Sequence, residues 1–160
     1  MSNDRGRDLH HDRREREVAA GEAWQAMYGL VFEREGQERF HEACDATSLT
    51  PGVLKTLLQL AADQPVAMRD LADRFRCDPS YVTSLVDGLE AAGLAQRRSH
   101  PTDRRVKMVD LSPAGVEALG RVRKVLGEPP ESFAALSVEE LRRLRALLVK
   151  LVDKAPDVSA

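Results

Sequence analysis

The stretch SYVTSLVDGLEAAGLAQRRSHPTDRRVKMVDLSPAG, residues 80–115, decides the fold. Val82, Leu85, Val86 and Leu89 recur at steps of three and four, the spacing of one helical face. Gly93 stands where that helix must end, since a left-handed cap costs glycine little, and Leu94 can fold back onto the last turn. "LAQRR" and "RRVKMVDL" then read as two strands joined by "SHPTD". Ser112-Pro113 opens another helix. A hairpin of this kind needs only Pro101 and a turn residue. Arg104, Arg105 and Lys107 on the same short turn call for a separate explanation.

Upstream, two more helices use the same template. Leu54, Leu57, Leu58 and Ala61 form one stripe, and Met68, Leu71, Ala72 and Phe75 form the next. Thr50-Pro51 starts the first, with Thr50 expected to cap free N–H groups. "DQPV" reads as a loop between the two. Asp78 caps the third helix and Pro79 takes its first position. Ala67 is a weak cap, a deficit of about 1 kcal/mol. Two short helices, a tight turn and a hairpin spell a winged helix-turn-helix over 50–111.

The flanks are helical. Trp24, Met27, Tyr28, Val31 and Phe32 give a helical pattern from Val18 to about Cys44. Val116, Leu119, Val122 and Leu126 share a face after Ser112. "GEPPE" interrupts. Ser137 with Glu140 is a capping box, and Leu141, Leu144, Leu148 and Leu151 form a seam suited to another helix. The predicted class is therefore mainly α with a small β-hairpin. Residues 18–154 form a single domain, with helices over 18–46 and 112–154 flanking the lobe. Residues 1–17 alternate charges and read as a mobile charged tail or frayed helix start, as do 155–160 as a tail. His10 and His11 lack a third ligand at metal spacing, so no metal site is expected.

Composition sets the outer bounds. The 160 residues carry a net charge of −2, few aromatics and many charges, which suits a helix-rich chain. No apolar run is long enough for a membrane, and the N-terminal residues lack the apolar core of a secretory signal, so a cytoplasmic location is expected. Charge distribution is more informative than the sum. Between Leu94 and Leu111 five basic residues, Arg97, Arg98, Arg104, Arg105 and Lys107, face only Asp103 and Asp110. Between Glu33 and Thr50 the balance is reversed, with five acidic residues and two arginines.

Clustered Arg and Lys on a hairpin suit duplex DNA, whose phosphates release condensed counterions on contact. A narrow minor groove further favours an inserted arginine. Arg105 is the expected probe and Asp103 its orienting partner, through a charge-assisted pair that holds the guanidinium extended. Arg97, Arg98, Arg104 and Lys107 are expected at the DNA face, and His100 at a phosphate. A simpler reading of Asp103 is that it closes the turn.

Taken together and in order, "SYVTSLVDGLEAAGL" and "DRR…LSPAG" make the chain resemble the MarR family of bacterial transcriptional regulators, a likeness running from Val18 to about Asp153. The resemblance implies a homodimer of winged-helix lobes joined by N- and C-terminal helices. It implies binding to pseudo-palindromic double-stranded DNA, typically as a repressor released by a small aromatic or lipophilic ligand. On matching positions, Ser80, Tyr81, Thr83 and Ser84 would face the major groove, and Asp103 and Arg105 match the Asp-x-Arg of the wing. The ligand pocket would lie between the dimer helices and the lobe, with Trp24, Met27 and Tyr28 from the first helix and Leu57 or Leu58 from the second. Such a stripe also suits plain core.

One departure weakens the likeness. From Pro79 to Gly93 there is no Lys or Arg, while Asp78, Asp87 and Glu90 are acidic. Bidentate guanine reading is then missing, leaving hydroxyls, the helix dipole and the wing. The alternative is a winged-helix protein-interaction module with weak or no DNA binding. Catalysis is not expected: the histidines follow no metal spacing, and no nucleophile elbow or phosphate loop occurs. Neither a cofactor nor a membrane partner is called for. Cys77 precedes a helix N-terminus yet suits a core position, and Cys44 ends the first helix, so a redox sensor is not expected.

Overall fold

A computed structural model describes residues 4–32, 35–61 and 64–154. The chain divides into two compact units, residues 1–39 and 40–160. Helix α1 runs Asp4–Phe32 and α2 runs Glu35–Thr47. The expected single helix from Val18 is thus two helices. A side chain on Gly36 would collide with the Val31 carbonyl, so the backbone there comes closer than a continuous helix of larger residues permits. Before Val18, where a mobile tail or a frayed helix start was expected, α1 runs from Asp4. The 155–160 tail and the side chains of His10 and His11 lie outside the described residues.

The second unit holds the lobe. Helix α3 is Pro51–Gln59, α4 Met68–Phe75 and α5 Pro79–Ala91. Pro51 takes the first position of α3 as expected, but the Thr50 side chain makes no capping bond; only its backbone carbonyl accepts, from Leu54 N–H at 2.9 Å. Asp78 does cap α5, its carboxylate accepting from the Ser80 amide at 2.7 Å. Arg76, at φ 49°, makes the tight turn between α4 and α5. At the far end of α5, Gly93 has φ +70°, and the Leu94 amide returns to the Leu89 carbonyl at 2.9 Å.

Strands β1 (Val66–Ala67), β2 (Ala95–Ser99) and β3 (Lys107–Leu111) form an antiparallel sheet in the order β1-β3-β2. The part of "DQPV" expected to be loop therefore ends in strand: Val66 pairs with Val109 and Ala67 with Met108. This also explains Ala67 at the start of α4. Its side chain is buried and its backbone serves the sheet, where a polar cap would be ill placed. In the hairpin, Ala95 opposes Leu111, Arg97 opposes Val109 and Ser99 opposes Lys107.

Helix α6 is Pro113–Gly127, capped by the Ser112 hydroxyl on the Gly115 amide at 3.0 Å. Val116 is exposed, so its buried stripe is Gly115, Ala118, Leu119 and Val122. A short 3₁₀ turn, Glu131–Ala135, follows, and α7 is Val138–Val152. The Ser137–Glu140 capping box has both of its bonds. Among the described residues, no helix is long and apolar enough to cross a membrane.

One core holds the lobe together. Leu54, Leu57, Leu71, Val82, Val86, Leu89, Val109, Leu119 and Val122 are fully buried or nearly so. Each such side chain contributes about 1.5–3 kcal/mol of transfer free energy. Thr56, buried among them, donates its hydroxyl to the Gly52 carbonyl at 2.9 Å, so its polarity is satisfied. The corner between α5 and α6 is tight: the Ser112 amide and hydroxyl donate to Leu94 and Gly93 carbonyls, and a side chain on Gly115 would collide with the Leu94 carbonyl.

Two substitutions test this packing. Leu89→Ala is expected to destabilise by about 2–5 kcal/mol through the cavity it leaves. Gly115→Ala is expected to cost about 1–3 kcal/mol by overpacking the corner. Urea midpoints measured by circular dichroism, at an unchanged slope, check both.

Candidate nucleic-acid interface

Burial of Val82, Leu85, Val86 and Leu89 turns the opposite face of α5 outward. Ser80, Tyr81, Thr83, Ser84 and Asp87 are exposed there. Thr83 and Ser84 donate their hydroxyls to the carbonyls four residues back, Pro79 at 3.0 Å and Ser80 at 3.3 Å. In that arrangement they offer acceptor lone pairs outward. Tyr81 leans back over α3, its hydroxyl close to Gly52.

The acidic residues of α5 do not stand free. Arg97, on β2, reaches across to them. Its guanidinium donates to the Thr83 carbonyl at 2.9 Å, to Asp87 at 2.6 Å and to Glu90 through a short contact. Its backbone amide donates to the other Glu90 oxygen at 2.7 Å. The Arg97 side chain is only 23% exposed. It was expected at the DNA face; its guanidinium lies beside the groove there, with its donors engaged on α5. Arg98 pairs with Asp110 on the neighbouring strand at 2.8 Å and stays half exposed.

At the tip, the Asp103 carboxylate accepts from the Arg105 backbone amide at 3.0 Å, and the Val106 amide returns to the Asp103 carbonyl at 3.0 Å. The expected pairing of Asp103 with the Arg105 guanidinium is not formed. The short aspartate side chain reaches the amide two residues on more easily than a long, solvated arginine head folds back. Asp103 therefore shapes the turn. The guanidiniums of Arg104 and Arg105 are exposed and have no protein partner among the described residues. Lys107 donates to the Ser99 hydroxyl across the hairpin at 3.1 Å, and the His100 ring faces Thr102.

Between α4, α5 and the wing lies an open groove of about 480 Å³, lined by Met68, Arg69, Thr83, Arg97, Arg105, Val106 and Lys107. It brings together Thr83, Arg97, Arg105 and Lys107, four of the residues singled out from sequence. Arg69 joins them and was missed. Its signal was present: an exposed arginine on the first turn of α4, beside the strand that pairs with the wing.

This geometry matches known proteins. A family model described as MarR family fits residues 49–107. The chain is 32% identical over 124 residues to an HTH-type transcriptional regulator of Mycobacterium tuberculosis, covering 75% of this chain and 85% of that one. The chain belongs to the MarR family. This MarR-family chain is accordingly a transcriptional regulator rather than an enzyme. It is also 36% identical over 105 residues to a protein named for transcriptional regulation of the hcr operon in Thauera aromatica, a match over 64% of this chain that spans 63% of the relative's length. Among solved structures, MarR of E. coli in its apo form aligns with a TM-score of 0.61 at 22% identity over 77% of this chain and 94% of that one. An S. aureus MepR–DNA complex aligns with a TM-score of 0.61 at 20% identity over 80% and 97%. These likenesses establish the winged-helix fold.

The residues expected at a ligand pocket are divided between the units. Trp24, Met27 and Tyr28 lie in the first, where Trp24 and Tyr28 are exposed and their rings stand 6.5 Å apart. Leu57 is fully buried in the lobe's core, so it does not line a pocket; Leu58 is half-buried. Leu57 follows the core stripe of α3 too closely to serve two surfaces. Cys77 is half-buried against the same core, and Cys44 is buried, its thiol pushed up by burial and by the neighbouring Asp45 charge. Among the described residues, no group of three His, Cys, Asp or Glu side chains is arranged to hold a metal.

The Asp78 cap carries a pH prediction. Hydrogen bonding from Ser80, side chain first and then backbone, holds its carboxyl below the ordinary aspartate value of 3.8. A depressed folded value means the cap stabilises above the unfolded value and is lost as pH falls through the folded one. An NMR titration of the Asp78 carboxyl is expected to show a midpoint below 3.8. Asp78→Asn should abolish that acid-linked fraying at the start of α5.

Proposed function

We propose that this MarR-family regulator acts as a homodimer that grips pseudo-palindromic double-stranded DNA, with α5 in successive major grooves and the wings beside them. The observation that carries the reading is the groove between α5 and the wing, where Arg69, Arg105 and Lys107 converge beside the exposed hydroxyl of Thr83. Arg105 is the wing's probe. Arg104 and Lys107 meet phosphates, as do Arg69 and His100. Asp103 positions Arg105 through the backbone of the turn. Ser80, Thr83 and Ser84 face the base edges, and Tyr81 flanks them from its position over the start of α3. Arg97 is withdrawn from the contact set because its donors are engaged on α5. Arg98 is kept as an outer phosphate contact, being half exposed despite its pair.

The terminal helices, 18–46 and 112–154, are the proposed dimerisation elements around the 50–111 lobe. Supporting this, α7 exposes Val138, Leu151 and Val152 by 64%, 61% and 72%, a poor surface for an isolated chain. We further assign the protein a repressor role in the cytoplasm, relieved by a small aromatic ligand. Trp24 and Tyr28, with Met27 and Leu58, are the residues offered to that ligand. A ligand of this kind acts only by favouring the dimer geometry that misfits DNA. The protein-interaction alternative drew on the acidity of α5, and Arg97 weakens that support by pairing with both Asp87 and Glu90, which leaves one of their two negative charges offset.

Selection from random duplexes, followed by affinity measurements over a salt series, tests the reading. A palindromic consensus and a steep fall of affinity with salt are expected. Arg105→Ala is expected to weaken the selected duplex about 10- to 100-fold with the dimer intact by light scattering. A monomer, or equal weak binding to every duplex at low salt, would sink the proposal.

A further inference from the structure

Arg97 and its partners form a junction that neither DNA contact nor core packing explains. The side chain spans from β2 to three groups on α5: the Thr83 carbonyl, Asp87 and Glu90. Glu90 is wholly engaged by this one residue, one oxygen on the Arg97 amide and the other on its guanidinium. Two consequences follow from the geometry. The hairpin is tied to α5 at a point seven and ten residues from the partners in sequence, close to the base of the wing. The charges of Asp87 and Glu90, which repel phosphate, are offset in part by the one guanidinium, from −2 to −1, on the helix that carries Thr83 and Ser84.

We propose that Arg97 is a positioning residue for DNA recognition, tying the wing to α5 and partly offsetting the two carboxylates on that helix. The proposal rests on the DNA-binding reading above. A guanidinium is suited to the task because its planar fork serves several acceptors at once, which an ammonium on a flexible stem does not. With the tie in place, the spacing between Arg105 at the tip and Thr83 on the helix is set before DNA arrives. Without it, each wing must be ordered on binding, and selectivity between sequences declines along with affinity.

The test uses the full chain with two probes, the duplex selected by the wild-type protein and a scrambled duplex of equal length. Amide hydrogen exchange of the free protein reads the tie with no DNA present. Arg97→Lys keeps the charge and is expected to quicken exchange along β2 and β3 and weaken the selected duplex about tenfold, the same salt slope being retained because no phosphate contact is lost. Asp87→Asn with Glu90→Gln frees the guanidinium and makes the face more positive. That pair is expected to bind scrambled DNA more tightly and discriminate less. The opposite result overturns the proposal: tighter and still selective binding by the Asp87→Asn/Glu90→Gln protein, with a salt slope lowered by about one in Arg97→Gln, would make Arg97 a phosphate contact. Unchanged exchange in all variants would equally overturn it. Should the wild-type protein select no duplex, the DNA reading fails separately, and the exchange data still decide whether Arg97 ties the wing.

Discussion

Both oxygens of the Glu90 carboxylate are taken up by a single residue, and the position of the wing depends on that arrangement. Three residues separate the end of α5 from the start of β2, so the hairpin leaves the helix through one short corner. Gly93 and Leu94 set the direction there through backbone bonds, and Arg97 fixes the angle farther along. The junction is only partly buried, with Asp87 more than half exposed. Ion pairs of that kind add little net stability. The core leucines and valines keep the lobe folded; the Arg97 junction determines how its two working parts are oriented.

Charge placement follows from the same contact. A chain of net charge −2 presents a groove with Arg69, Arg105 and Lys107 along it; Arg69 is paired with its neighbour Asp70 at 3.3 Å, and other acidic residues near the groove are engaged within the lobe. Asp78 is committed to capping α5, Asp103 to the turn, Asp110 to Arg98, and Asp87 with Glu90 to Arg97. At the wing tip, the guanidiniums of Arg104 and Arg105 have no protein partner among the described residues. Net charge says little about such a surface, because fields from exposed charges fade within about 8 Å at physiological salt.

Features written in one or two adjacent residues were legible in the sequence. Asp78-Pro79, Ser112-Pro113, Gly93 and the Ser137–Glu140 box each act through a local steric or capping rule, and all four behave as read. The core stripe of α5 was legible in full, whereas that of α6 is shifted, with Val116 exposed and Gly115 and Ala118 buried. β1 was not legible, because a two-residue strand has no period, and its identity comes from β3, over forty residues later. The break between α1 and α2 was hidden in a run of good helix formers. Arg97 looked like its neighbour Arg98 because a sequence does not show which side of a strand faces a helix. Asp103 misled for another reason: a spacing of two suits both a side-chain pair and a turn closed on the backbone, and the turn forms because it orders fewer atoms.

That last difference bears on how the wing works. With its guanidinium unpaired, Arg105 keeps its rotamer freedom until something orders it. The backbone beneath it is already set by Asp103, Pro101 and the paired strands, so the freedom is confined to the side chain. α5 complements this arrangement. Thr83 and Ser84 satisfy their own donors on the helix backbone and extend only acceptors, a restrained vocabulary for base edges. Discrimination under the proposed function therefore falls chiefly on groove width and on the distance between wing and helix. Those are properties of geometry, and the contact that fixes the geometry is the one between Arg97 and α5.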